Sequence, residues 1–207
     1  MNVPKLVFVT LLLLSSVAAE AQCMVYPVSL EQRVNHAAYI VEGKIIDKKP
    51  YLDKKTGLVY TLNTISINAW LKNSSKESSV YLITEGGFFE DRGTIVYPSL
   101  QVQKNQEYIF FLEPDNHAID NKELRQSLPG KLQAKAYADG QGVLTNMNNS
   151  YKDLLSEPLQ SEAAILEKIQ KITGTPATTP AGAIFRARET NAGISANRMN
   201  AITGISP

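Results

Sequence analysis

From Ala38 onward the apolar residues fall at every second position. Tyr39, Val41, Gly43 and Ile45 alternate with Ile40, Glu42, Lys44 and Ile46, the period of a strand whose two faces differ. Asp53-Lys54-Lys55-Thr56-Gly57 is a polar turn ending in glycine. Beyond it, within Leu58 to Leu71, Ile65 and Ile67 face one side and Thr64, Ser66 and Asn68 the other. Two such segments joined by one turn predict a long hairpin, and a chain organised around it is mainly β.

Further strand signals follow at short intervals. Ser79 to Thr84 is almost wholly apolar or β-branched, and Gly86-Gly87 ends it with a bend that needs positive φ. Gly93 to Tyr97 reads as a short strand stopped by Pro98. Glu107 to Leu112 has the aromatic and β-branched bias of a buried central strand, which Pro114 ends. Lys131 to Tyr137 and Gly142 to Thr145 predict a last hairpin around Asp139-Gly140. Several short strands with one long hairpin indicate a small barrel or sandwich.

Helices flank this region. Ser29 is placed to cap a short helix with Leu30, Val34 and Ala37 on one face. Ser161 opens a second, with Ile165, Leu166, Ile169 and Ile172 on one stripe and Gly174 to close it. That stripe is expected to pack on the barrel. Residues 175–183 then form a Thr/Pro/Ala linker, expected to be extended and solvated. Ile184 to Pro207 has too few large apolar residues for a core of its own. It is expected to be a disordered tail or the lead-in to a further domain.

The amino end points to export. Lys5 precedes an apolar run from Leu6 to Leu14, and Ala19-Glu20-Ala21 is an A-x-A cleavage site. The run is about half as long as a bilayer span requires. Residues 1–21 therefore read as a signal peptide, with 22–174 as the folded domain and no stable membrane insertion after cleavage. The destination is the cell surface, the periplasm or the medium. Cys23 is the one cysteine, so no intramolecular disulfide can brace the domain. A formal net charge of +1 with 20% charged residues lacks the basic field that nucleic-acid binding uses.

No catalytic constellation emerges. His36 and His117 are the only histidines, and no H-x-x-x-H or C-x-x-C spacing offers a zinc site. Asp115, Asn116, Asp120 and Glu123 carry oxygen ligands but not at EF-hand spacing, so a solvated acidic loop is the better reading. Glu85, Glu90 and Asp91 flank Gly86-Gly87-Phe88-Phe89 as a charged rim rather than a glycosidase acid pair. The glycine pair fits no phosphate-binding loop. No catalytic residue, metal ligand or cofactor is assigned.

The order of Tyr39-Ile40-Val41-Glu42-Gly43-Lys44-Ile45, Tyr60-Thr61-Leu62 to Trp70-Leu71-Lys72, Gly86-Gly87, and Lys104 to Leu112 resembles exported bacterial domains similar to the netrin-like module of tissue inhibitors of metalloproteinases. The resemblance spans Tyr26 to about Thr145. It implies a five-stranded Greek-key barrel of the oligonucleotide/oligosaccharide-binding (OB) type, here with a short N-terminal helix and a C-terminal flanking helix. Those inhibitors chelate a protease zinc through the terminal amine and use paired cysteines. Cys23 has no partner and cleavage leaves Gln22 in front of it, so inhibition does not carry over. Asn73 stands where the pattern has glycine. At the carboxyl end, Ile202-Thr203-Gly204-Ile205-Ser206-Pro207 resembles the opening strand of an IPT/TIG domain.

Together these readings predict a non-enzymatic exported binding or accessory domain, the front module of a bacterial surface or secreted protein. Its partner would be a protein or a glycan, and Trp70, Phe88, Phe89 and Tyr97 are the candidate contact residues. The alternative is a prodomain or modulatory domain of a secreted metalloprotease. A small hydrolase using Cys23 or the acidic loops is a third reading.

Overall fold

A computed structural model of the chain describes residues 26–97, 99–115, 132–155 and 160–180. The element order is α1 (Leu30–His36), β1 (Tyr39–Leu52), β2 (Val59–Lys72), β3 (Ser79–Glu85), β4 (Gly87–Phe89), β5 (Arg92–Thr94), β6 (Glu107–Pro114), β7 (Gln133–Ala136), β8 (Val143–Asn146), β9 (Ser150–Lys152), β10 (Gln160–Ser161) and α2 (Glu162–Thr173).

The predicted hairpin forms and is the largest element of the fold. β1 and β2 pair antiparallel from Ile40↔Lys72 to Leu52↔Val59. Asp53 accepts hydrogen bonds from the Lys55 N–H and the Thr56 hydroxyl in the connecting turn. β2 pairs antiparallel with β3, β3 parallel with β7, and β7 antiparallel with β6. β6 then returns to β1, from Tyr39↔Leu112 to Lys44↔Glu107. Five strands thus close on themselves in the order β1-β2-β3-β7-β6-β1, the barrel expected from the sequence.

Closure requires β1 to serve two neighbours while bending, and its ladder with β2 shifts register at three places, between Ile40/Val41, Glu42/Gly43 and Ile45/Asp47. Such bulges sharpen the bend and twist of a strand. Gly43 lies in this stretch because a Cβ there would stand 2.5 Å from the Ser66 carbonyl oxygen and 2.7 Å from Ile65 Cγ2. The two backbones come together only where one residue lacks a side chain.

The alternation of β6 explains why both its faces are apolar. Tyr108, Phe110 and Leu112 point into the barrel with Val41, Ile45, Ile65, Ile67, Val80 and Leu82. Ile109 and Phe111 point outward, into a second core with Val34, Ile40, Leu71, Leu144, Ile165 and Ile169. The helices cover that outer core. α1 starts in a reciprocal capping box, with the Gln32 N–H donating to Ser29 Oγ and the Ser29 N–H to Gln32 Oε1. It ends on Lys72, whose Nζ donates to the carbonyls of Val34, Asn35 and Ala37 at 2.7, 3.0 and 2.7 Å. α2 begins on Ser161, stops at Gly174 in the left-handed region, and buries Ile165 and Ile169 as the stripe predicted.

Two strand readings are corrected. β7 and β8 do not form a hairpin with each other. Both pair with the same edge of β6, through Leu112↔Ala136 and Pro114↔Ala134 and then Phe110↔Val143 and Tyr108↔Thr145. The chain between them, with Ala138 and Asp139 at positive φ and a 3-10 turn at Asp139–Gly142, loops out and rejoins the same edge. The segment expected to be a strand at Gly93 to Tyr97 is a strand only over Arg92–Thr94, paired with Gly87–Phe89 in a separate two-stranded ribbon.

Residues 175–179, at the start of the segment read as a linker, are exposed, and the segment touches the barrel. Thr178 forms an antiparallel bridge with Trp70, with N–H···O bonds of 2.7 and 2.9 Å in the two directions, and Pro180 is buried. The signal peptide (1–21), Cys23, His117, Asn116, Asp120, Glu123 and the segment from Ile184 to Pro207 lie outside the described residues. Among the described residues no helix is long and apolar enough to cross a membrane.

Candidate functional site

The β4–β5 ribbon stands beside the turn end of the β1–β2 hairpin. Gly86 and Gly87 lie at φ +90° and +135°, so the bend predicted from the pair is present. A Cβ on Gly87 would stand 2.5 Å from Thr61 Oγ1. Three hydrogen bonds tie the ribbon to β2: Gly86 N–H to the Val59 carbonyl at 2.9 Å, Thr61 Oγ1–H to the Gly86 carbonyl at 2.8 Å, and Val59 N–H to Thr94 Oγ1 at 2.9 Å. The ribbon is thereby anchored to its strand through backbone and threonine hydroxyls.

Its apolar side chains are not drawn into a core. Phe88 is 72% exposed, and in the segment leaving β5 Ile95 is 86% and Tyr97 90% exposed. Phe88 lies over the backbone of Gly93, where a Cβ would fall 2.7 Å from its ring. Phe89 points the other way and is half-buried. Leu58, at the end of the neighbouring hairpin, is 45% exposed. Glu90 and Asp91 form the exposed tip of the ribbon and Glu85 the exposed end of β3, a charged rim to these apolar groups.

Trp70 does not belong to this surface. It is 1% exposed inside the barrel, with Nε1–H donating to the Glu77 carbonyl at 3.2 Å and its ring edge-on to Tyr39. The cause is the register shift opposite Glu42/Gly43. Ile67 pairs with Gly43 and Ala69 with Glu42, leaving Asn68 without a partner on β1. The alternation of β2 changes phase at Asn68, so Ala69 and Leu71 face the helices and Trp70 turns inward.

Sequence reasoning passed over two further constellations. On the outer face of β1–β3 the rings of Tyr51 and Tyr60 stack at 5.6 Å, and these two with Tyr81 pack against the buried Leu62 and Ile83. Burial pushes the Tyr51 phenol well above its ordinary range, reinforced by Asp115, and the Tyr60 phenol is raised by burial and Glu85. The period-two spacing of Tyr60 with Leu62 and of Tyr81 with Ile83 was the signal that could have found it.

The second constellation is polar and buried. Arg33, 3% exposed, pairs with Asp153, donates to the Gln141 carbonyl at 2.8 Å and lies over the Phe111 ring. Gln141 accepts from the Val28 N–H at 2.7 Å and donates to the Tyr26 carbonyl at 2.9 Å. Beside them Tyr151 donates to Glu42 at 3.1 Å. Only the position of Arg33, next to Val34 on the inner side of α1, hinted at this in the sequence.

His36 stacks on Tyr137 at 5.7 Å, and Asp115 is buried. Among the described residues no group of three or more histidine, cysteine, aspartate or glutamate side chains is placed to hold a metal ion. Compared with protein-family models the chain matches none, and compared with curated proteins it has no match.

Proposed function

We propose that the chain is an exported, non-enzymatic binding module of a bacterial surface or secreted protein, with the barrel as a rigid mount for a protein-contacting ribbon. The observation that carries this reading is the concentration of Phe88, Ile95 and Tyr97, each more than 70% exposed, on one short hydrogen-bonded ribbon and its exit segment. Large aromatic groups standing free of the core are the residues that supply binding energy at protein interfaces. Ile95 and Leu58 favour a protein over a glycan, because branched aliphatic groups do not form the flat platform on which sugar rings stack.

Export rests on the amino-terminal charge, apolar run and A-x-A site. The netrin-like relationship is supported by the order of its motifs and is consistent with the closed five-stranded barrel.

The test is binding of fluorescently labelled mature chain to intact cells of the source organism, before and after mild protease treatment of the cells. Protease treatment is expected to abolish binding, and the double variant Phe88→Ser/Tyr97→Ser to weaken it at least ~10-fold, the scale of losing interface anchors. Binding that survives the protease would replace the protein partner with a glycan. Unchanged binding by the double variant would overturn the assignment of this surface.

A further inference from the structure

Phe88 owes its placement to the absence of a side chain opposite it. Gly86 and Gly87 serve a bend at positive φ, but Gly93 has no left-handed backbone to serve. It pairs directly with Phe88 across the ribbon, and a Cβ there would fall 2.7 Å from Cε1 and 2.9 Å from Cδ1 of the ring. The ring thus lies across the bare backbone of Gly93 while remaining 72% exposed. A ring braced in this way loses little conformational entropy when a partner covers it.

The charges around the apolar groups decide which protein fits them. A surface matched to a partner of opposite charge carries mainly one sign. Here the exposed charged residues of the ribbon, the hairpin turn and the end of β3 balance, Glu85, Glu90 and Asp91 against Lys54, Lys55 and Arg92. Asp53 is taken up by the turn itself. The signs are also segregated: Glu90 and Asp91 form the ribbon tip, and Lys54 and Lys55 stand on the turn of the β1–β2 hairpin. A patch with one acidic and one basic flank can satisfy itself across a two-fold axis, where every contact occurs twice.

We propose that the protein contacted by the ribbon is a second copy of this chain. The two copies form a two-fold dimer with Phe88, Ile95 and Tyr97 at its centre and the acidic tip of each copy on the basic hairpin turn of the other. This rests on the reading of the ribbon as a protein-binding surface and names its partner.

Sedimentation velocity of the mature chain across micromolar concentrations is expected to show a reversible monomer–dimer equilibrium. Phe88→Ser/Tyr97→Ser should weaken it at least ~10-fold. Gly93→Ala pushes the ring off its seat and should also weaken it, with Tm unchanged. Glu90→Lys/Asp91→Lys and Lys54→Glu/Lys55→Glu each bring like charges together twice, and each alone should sediment as a monomer. Mixed in equal amounts, these two variants oppose acid to base at both contacts and should dimerise as the unmodified chain does. A monomer at every concentration overturns the proposal; if that monomer still binds cells through Phe88 and Tyr97, the ribbon reading stands with a different protein as partner. Dimerisation that survives Phe88→Ser/Tyr97→Ser overturns the site, and equal association by Gly93→Ala removes Gly93 as the seat. A mixture of the two charge variants that stays monomeric overturns the pairing of tip with turn.

Discussion

The hydroxyl of Tyr151 donates a 3.1 Å hydrogen bond to the carboxylate of Glu42, joining residues 109 positions apart in a buried contact between β9 and β1. Both side chains lie outside the barrel wall, in the layer that α1 and α2 cover. The bond satisfies a carboxylate that the second core would otherwise disfavour. Burial first, and the Glu42 charge second, push the Tyr151 phenol far above its ordinary range.

A phenol held protonated in the fold but free to ionise in the unfolded chain stabilises the fold below its unfolded pKa, near 10, and this contribution is lost as pH rises beyond it. Stability from urea unfolding should therefore be level with respect to this group through neutral pH and fall above about pH 10. Tyr51, raised in the same direction, adds to the fall. Tyr151→Phe should cost about 1–3 kcal/mol at neutral pH, because Glu42 loses this buried hydrogen bond, and should show a shallower alkaline decline. A variant whose decline matches that of the unmodified chain would remove Tyr151 as its source.

The ammonium of Lys72 sits on three carbonyls at the end of α1, where no glycine closes the helix. A cation here answers both the unpaired carbonyls and the negative end of the helix dipole. Lys72→Met keeps the apolar stem and should lower the free energy of unfolding by about 1–2 kcal/mol, read from the denaturant midpoint. A change within measurement error would mean that water serves the carbonyls equally well.

Gly43 separates β1 from β2 by less than a side chain allows. Gly43→Ala forces its Cβ against the Ser66 carbonyl and Ile65 Cγ2, and overpacking of this kind costs about 1–3 kcal/mol. Because the first contact is with backbone, relief requires the strands to part. Loss of β1–β2 pairing should be visible as faster amide exchange at Ser66, which pairs with Lys44, and not at Ile67, whose N–H donates to the Ser78 carbonyl on the other side of β2.

The burial contrast between Trp70 and the ribbon aromatics separates packing from display. Trp70→Ala should cost about 3–5 kcal/mol, whereas Phe88→Ser and Tyr97→Ser should each shift stability by less than about 0.5 kcal/mol. Thermal unfolding of the three variants checks this. A large loss in either ribbon variant would assign its ring to packing.

Thr178 covers one position on the edge of β2, where the ladder to β3 has already ended at Ser66↔Ser79. Removing the chain after Gly174 should expose that edge and accelerate exchange of the Trp70 amide at least ~10-fold, with smaller effects on Ile65 inside the barrel. As the one tryptophan in the chain, Trp70 also gives a fluorescence readout.

Features that depend on neighbours close in the chain are legible in the sequence itself. Ser29 and Ser161 cap their helices, Gly174 closes α2, Asp53 organises its turn and Gly86-Gly87 bends at positive φ. Asn73, noted in place of a glycine, adopts the left-handed conformation at φ 54° and donates from Nδ2 to the Ala38 carbonyl at 2.7 Å. A short amide side chain tolerates that region and bonds locally. The apolar runs of β1, β2, β3 and β6 likewise state their period within themselves.

Tertiary structure decided what period and composition leave open. One unpaired residue, Asn68, inverts the phase of β2 and sends Trp70 inward, because register is a property of two strands and not of one. β7 and β8 follow the same edge of β6 instead of pairing across Asp139-Gly140, because β6 offers both segments a complete ladder. Arg33 is buried only because Asp153, Gln141 and Phe111 converge on it from segments more than 70 residues away in the chain. Residue types and local spacing thus determined the strands, caps and turns; which side chains the barrel encloses and which it leaves exposed was decided by contacts between segments that are distant in the sequence.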